Sequence, residues 1–173
     1  MIGTIIALSD HELRIARETG ELRAEANKRA GTVDGNVTDY SPPDAHTIGV
    51  AGELAFCKLC NIYPDFEVSV RRGSADCQRL GESVDIKSTE YQTGRLLVRP
   101  TKRLVGTEVY ALMTFKWQTG EPAPRWFRFR GFARADDLFT PERLRFFGRC
   151  DNYVMEQHEL SFDQRSKFAP PER

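Results

Sequence analysis

The segment Asp76-Cys-Gln-Arg-Leu-Gly-Glu-Ser-Val-Asp85-Ile86-Lys87-Ser-Thr89 constrains the chain more than any other. Side chains alternate across a strand, so a strand over 83–89 sends Val84 and Ile86 to one face and Asp85 and Lys87 to the other. The apolar pair then needs a core on its side, and Leu80-Gly81 marks a turn back to Asp76. Two acids and a lysine gathered on one sheet face cost too much electrostatic work to serve packing alone. Such a cluster suits a divalent cation and a phosphate.

The rest of the chain predicts what surrounds that hairpin. Residues 9–30 read as an amphipathic helix opened by a capping box, Ser9 with Glu12 three positions on. Its weak apolar stripe is Leu13, Ala16, Arg17, Gly20 and Ala24. Asn36 to Asp44, with Ser-Pro-Pro, reads as a loop. Thr47 caps a second helix that runs to Cys60, with Val50, Leu54 and Cys57 inward. The pattern then turns from helical to alternating. Strands are predicted at 66–71, 75–79, 83–89, 95–99, 108–117 and 125–133, with the turn of 120–124 between the last two. A short helix or turn opens at Ala135 and extends over 142–149, and Tyr153-Val-Met ends the sheet. Helices, then a mixed and mostly antiparallel sheet, then a small helix define an α+β chain.

Composition sets the outer limits. At 173 residues, with 40% apolar and 29% charged side chains, the chain is one domain with a real core. No apolar stretch is long enough to span a bilayer. The apolar start lacks a basic flank and predicts no signal peptide. Four cysteines in a chain of this size point to a reducing cytoplasm and not to a disulfide scaffold. The 25 basic and 25 acidic residues cancel, so any affinity for a polyanion must be local. Two acid-free basic stretches qualify: Arg95, Arg99, Lys102 and Arg103, then Arg125, Arg128, Arg130 and Arg134. Such stripes bind phosphates, and equally they protect edge strands from aggregation.

The acids and the lysine suggest a reaction. Mg²⁺ prefers oxygen ligands, usually one or two carboxylates with waters and phosphate. Asp76 and Asp85 on adjacent strands supply carboxylates, the Ile86 carbonyl a third oxygen, and Lys87 reaches the attacking water or the scissile phosphate. Phosphodiester hydrolysis needs those parts.

The stretch Asp76…Asp85-Ile86-Lys87 resembles the D…(D/E)xK core of the PD-(D/E)XK nuclease superfamily, in particular its small phage-type and restriction-like members. The family carries a further acid on a helix before the core strands, and Gly52-Glu53-Leu54-Ala55 matches that element. The resemblance covers residues 47 to about 134. It implies a restriction-endonuclease-like αβββαβ core, a central mixed sheet flanked by helices, with the helix 9–30 and the C-terminal region as additions. It also implies metal-dependent cleavage of DNA. Asp76 and Asp85 would ligate Mg²⁺ or Mn²⁺ with the Ile86 carbonyl, Glu53 would complete the shell, and Lys87 would be catalytic. Arg95, Arg99, Lys102, Arg128 and Arg130 are candidates for the nucleic-acid backbone, and a homodimer would cut two strands. The alternative is an inactive nucleic-acid-binding or assembly module of the same fold.

Other residues are weaker candidates. Glu67 is an outer acid and Glu82 a surface one. Cys57-Lys-Leu-Cys60 lacks two further zinc ligands at a fitting spacing and reads as small buried residues on a helix face. His11, His46 and His158 have no metal spacing. Phe127 and Phe129 read as core, with Arg128 and Arg130 on the wet face.

Overall fold

The computed structural model describes residues 3–31, 40–68, 75–148 and 150–163. A short strand β1 (Ile5–Ala7) leads into helix α1 (Asp10–Arg29), whose Ser9 and Glu12 form the expected capping box. Helix α2 (Pro42–Cys60) begins five residues before the predicted cap. Ser41 is its N-cap, and Pro42-Pro43 fill the first turn, where a proline lacks nothing that the helix needs. Thr47, the expected cap, is instead buried inside α2. The helix stops at Asn61, which takes a left-handed φ of 53°.

The main sheet combines β1, β2 (Cys77–Arg79), β3 (Glu82–Thr89), β5 (Val109–Lys116) and β6 (Trp126–Arg134) in the order β1-β6-β5-β3-β2. β3 and β5 are parallel and every other pair is antiparallel, so the sheet is mixed and the fold α+β. β2 and β3 meet through Leu80-Gly81, both at positive φ (54° and 81°), as a tight type I′ hairpin requires. A second sheet of β4 (Leu96–Val98), β7 (Leu144–Phe146) and β8 (Asp151–Met155) runs in the order β4-β8-β7. A one-turn helix α3 (Ala135–Leu138) follows β6.

Alternation along the strands builds two cores, one on each side of the main sheet. Val84, Ile86, Ala111, Met113, Phe127 and Phe129 pack with α1 and α2. Tyr110, Leu112 and Ala133 point the other way and meet Leu96, Val98, Tyr153 and Met155 of the small sheet. Phe127 and Phe129 are core as expected, whereas Trp126 is 44% exposed.

Several predicted elements change. Residues 66–68 are irregular, and the remainder of the strand predicted at 66–71 lies outside the described residues. The crossover from β3 to β5 carries β4 and a 3-10 helix, Pro100–Val105, where the resemblance implied an α-helix. Of the stretch 142–149, the described residues to Phe146 form the end of a 3-10 turn and the strand β7, not a continued helix, and residue 149 lies outside the described residues. The α1 stripe is rotated: Leu13, Ala16, Thr19, Gly20 and Arg23 are buried, and Arg17 and Ala24 are not. Among the described residues no helix is long and apolar enough to cross a membrane.

Candidate functional site

The predicted parity of β3 holds: Val84 and Ile86 enter the helix-side core, while Asp85 and Lys87 face the other way. The β2–β3 ladder ends at Cys77, opposite Val84. One residue earlier, the Asp76 amide donates to the Val84 carbonyl at 2.9 Å. The Asp76 carboxylate then accepts the Ile86 amide at 2.6 Å, taking the place of the next ladder partner. Asp76 is thereby fixed beside Asp85 and Lys87 by backbone geometry. It also borders an open cleft of about 640 Å³ lined by Tyr63, Phe66 and Glu67.

Asp85 is 1% exposed at its side chain and is held between two lysines. Lys87 pairs with one carboxylate oxygen. Lys102, from the crossover, lies 2.9 Å from the other. The ammonium-bearing chains are 29% and 33% exposed, so solvent reaches the cations and not the acid. Burial pushes the Asp85 carboxyl upward, but the two lysine charges outweigh it and hold the group below the usual carboxylate range. Asp76 behaves oppositely. Burial, followed by the charges of Asp85 and Glu53, pushes it up to about 8 despite Lys87 and the Ile86 amide. Two neighbouring acids thus differ in protonation at neutral pH, a separation typical of sites that handle protons or cations. Tyr110, opposite Asp85 on β5, is pushed to about 12 by burial and by that same charge, so it remains a neutral phenol.

Glu53 is held from the side that the sequence left outside the core. Arg23 of α1 donates to both its oxygens at 2.9 and 3.0 Å, and also to the Asp65 and Glu67 carbonyls at 3.0 and 3.1 Å. Arg23 and Glu53 are both buried. Glu67 enters this arrangement through its carbonyl. Arg23 was legible in principle: Leu13, Ala16, Gly20 and Arg23 follow helical spacing on one face.

The proposed backbone contacts divide. Lys102 belongs to the acid cluster. Arg95 pairs with Glu156 at 3.4 Å. Arg99 precedes the 3-10 helix and is half-buried. Arg128 and Arg130 lie on β6, two strands from β3; Arg130 donates to the Thr114 hydroxyl at 2.9 Å and the Gln92 carbonyl at 3.0 Å. His46 contacts Asn27 at 3.1 Å, and Cys57 lies in the core.

Among the described residues no three histidine, cysteine or acidic side chains converge with the spacing of a metal site. Asp76 and Asp85 nonetheless bring two carboxyl groups into one cluster, the donor type that a hard divalent cation takes. One is a carboxyl whose surroundings oppose its charge, and the other is a charged carboxylate paired with two lysines. Glu53 is engaged at both oxygens by Arg23.

Helices on one face of a five-stranded mixed sheet, with an acid–lysine cluster at a hairpin edge, define the class of α+β protein. The chain belongs to DUF5843, a family of unknown function, whose model matches residues 1–162. No curated protein and no solved structure matches it.

Proposed function

We propose that the protein is a metal-dependent nuclease that hydrolyses DNA phosphodiester bonds, built on a restriction-endonuclease-like core. The observation that carries this reading is the Asp76 carboxylate seated on the Ile86 amide, which joins Asp76, Asp85 and Lys87 into one cluster. The order α2, β2–β3 hairpin, crossover and parallel β5 supports it. Asp76 and Asp85, with the Ile86 carbonyl, would hold Mg²⁺ or Mn²⁺, and Glu53 would support them directly or through water. The bound ion supplies Lewis-acid polarisation of a phosphoryl oxygen and a water of lowered pKa. Lys87 remains cationic beside Asp85 and offsets charge that develops on the phosphate. Lys102 has the same reach once it leaves Asp85. Arg95, Arg99, Arg128 and Arg130 attract the backbone.

One observation favours the second reading, an inactive nucleic-acid-binding or assembly module. Lysines occupy both oxygens of Asp85 and an arginine those of Glu53, so this part of the cluster neutralises itself. A supercoiled-plasmid assay with Mg²⁺, Mn²⁺ or EDTA separates the two. Metal-dependent nicking that vanishes in Lys87→Ala and Asp85→Ala is expected of the nuclease. Undiminished cutting by either variant overturns the site assignment. No cutting, with a melting temperature indifferent to metal, selects the second reading.

A further inference from the structure

The small sheet covers only part of the main sheet's outer face. It packs on Tyr110, Leu112 and Ala133 and, among the described residues, does not reach Ile5, Lys116 and Trp126 at the far ends of β1, β5 and β6. Cross-strand partners share a face. Ile5 therefore stands beside Arg128, and Trp126 stands between Ala7 and Lys116. Ile5 is 55% and Trp126 44% exposed, Lys116 is exposed, and Arg128 is half-exposed. Arg130 joins them above Thr114. Among the described residues of β1, β5 and β6 on this face there is no carboxylate; Asp85 of β3, two strands from β6, is buried and paired with Lys87 and Lys102.

We infer that this face binds an unpaired tract of nucleic acid, with a base stacked on Trp126 and phosphates on Lys116, Arg128 and Arg130. The charge argues for a polyanion and against a second copy of the chain, because a two-fold contact would set the same cations against each other. The exposed indole argues for an unpaired strand. An aromatic platform on a flat sheet takes the face of a free base, whereas a duplex keeps its bases stacked on one another. The face is also the one from which Asp85 and Lys87 project. Arg128 lies two strands over and two residues along from Lys87, about 12 Å from standard sheet spacings. The loop carrying Gln92 is bonded to Arg130 and to Gln157.

The inference rests on the nuclease reading only in supplying its substrate form, a single-stranded region. Its test therefore reads binding alone, in EDTA. Labelled oligothymidylate and oligouridylate of about a dozen nucleotides, and a duplex of equal length, are titrated with the full chain and followed by anisotropy. Both single strands are expected to bind more tightly than the duplex, and a difference between them identifies the preferred sugar. Trp126→Ala should weaken binding on the order of tenfold, as the loss of one stacked base requires, while Trp126→Phe retains most of it. Arg128→Ala should lower the slope of log affinity against log salt by about 0.7. Preference for the duplex, equal binding by Trp126→Ala, absence of binding, or self-association that buries Trp126 would each overturn it. Because no cleavage is read, an inactive plasmid assay leaves this result standing, and the reverse holds.

Discussion

The Arg23 guanidinium and the Glu53 carboxylate form a buried two-oxygen contact between α1 and α2, at 2.9 and 3.0 Å. Neither charge has much access to water, so removing one strands the other. Arg23→Met should cost about 3–5 kcal/mol in urea denaturation. The double variant Arg23→Met with Glu53→Leu should recover most of that loss, since apolar groups of similar size can replace a buried pair. If the double variant remains as unstable as the single one, the bonds from Arg23 to the Asp65 and Glu67 carbonyls hold the region instead.

Lys102 and Asp85 make the second prediction. The lysines hold the folded-state pKa of Asp85 below its ordinary 3.8, so their contribution is present above that value and is lost as pH falls through the folded-state pKa. Lys102→Ala removes a charge-assisted bond worth about 1.5–3 kcal/mol. Its melting temperature at pH 7 should fall by several degrees, at about 2–4 °C per kcal/mol for a chain of this size. The deficit relative to the native protein should shrink below about pH 4, where the unfolded carboxylate is already protonated. A deficit independent of pH would mean that Lys102 acts through packing.

Asp76 carries the opposite sign. Its folded-state pKa, about 8, lies above the unfolded 3.8, so between those values the folded chain binds the extra proton. Stability should therefore decline as pH rises from about 4 to 8, under EDTA. Asp76→Asn keeps an oxygen for the Ile86 amide and carries no charge. It should flatten that decline and melt above the native protein at pH 8. An unchanged slope would place the titrating group elsewhere.

The parts that were legible in the sequence are those whose signal is local. The Ser9–Glu12 box, the β3 parity, and the apolar faces of β5 and β6 each arise from residues within a few positions of one another. Other parts depend on distant partners. β1 has three residues and exists because β6 pairs with it more than a hundred positions later. Trp126 shares the parity of Arg128 and Arg130, but its exposure depends on how far the small sheet reaches over that face. Lys102 reads as one of a run of basic residues suited to a nucleic-acid backbone, and only the crossover path carries it to Asp85. Asp76, Asp85 and Lys87 were found because a hairpin makes their meeting a local event. The Arg23–Glu53 contact leaves no local pattern, because it joins two helices across 30 positions.

Gly20 sets how closely the two helices that carry that contact approach. A β-carbon built on Gly20 falls 2.6 Å from both the Cα and the N of Thr47, so the backbones of α1 and α2 touch where any other residue would separate them. Gly20→Ala gains about 1 kcal/mol of helix propensity and still must push α2 away. Overpacking of this kind costs typically about 1–3 kcal/mol, so the net effect should be destabilising despite the better helix former. The shift has a second consequence. Arg23 lies one turn beyond Gly20 on the same face, so moving α1 outward lengthens its reach to Glu53. Gly20→Ala should therefore lose coupling between Arg23 and Glu53 in a double-mutant cycle, while an alanine at exposed Glu18 should leave both stability and coupling unchanged. A stabilised Gly20→Ala protein would show that the two helices can separate without cost, and that Arg23 follows Glu53 through side-chain flexibility alone.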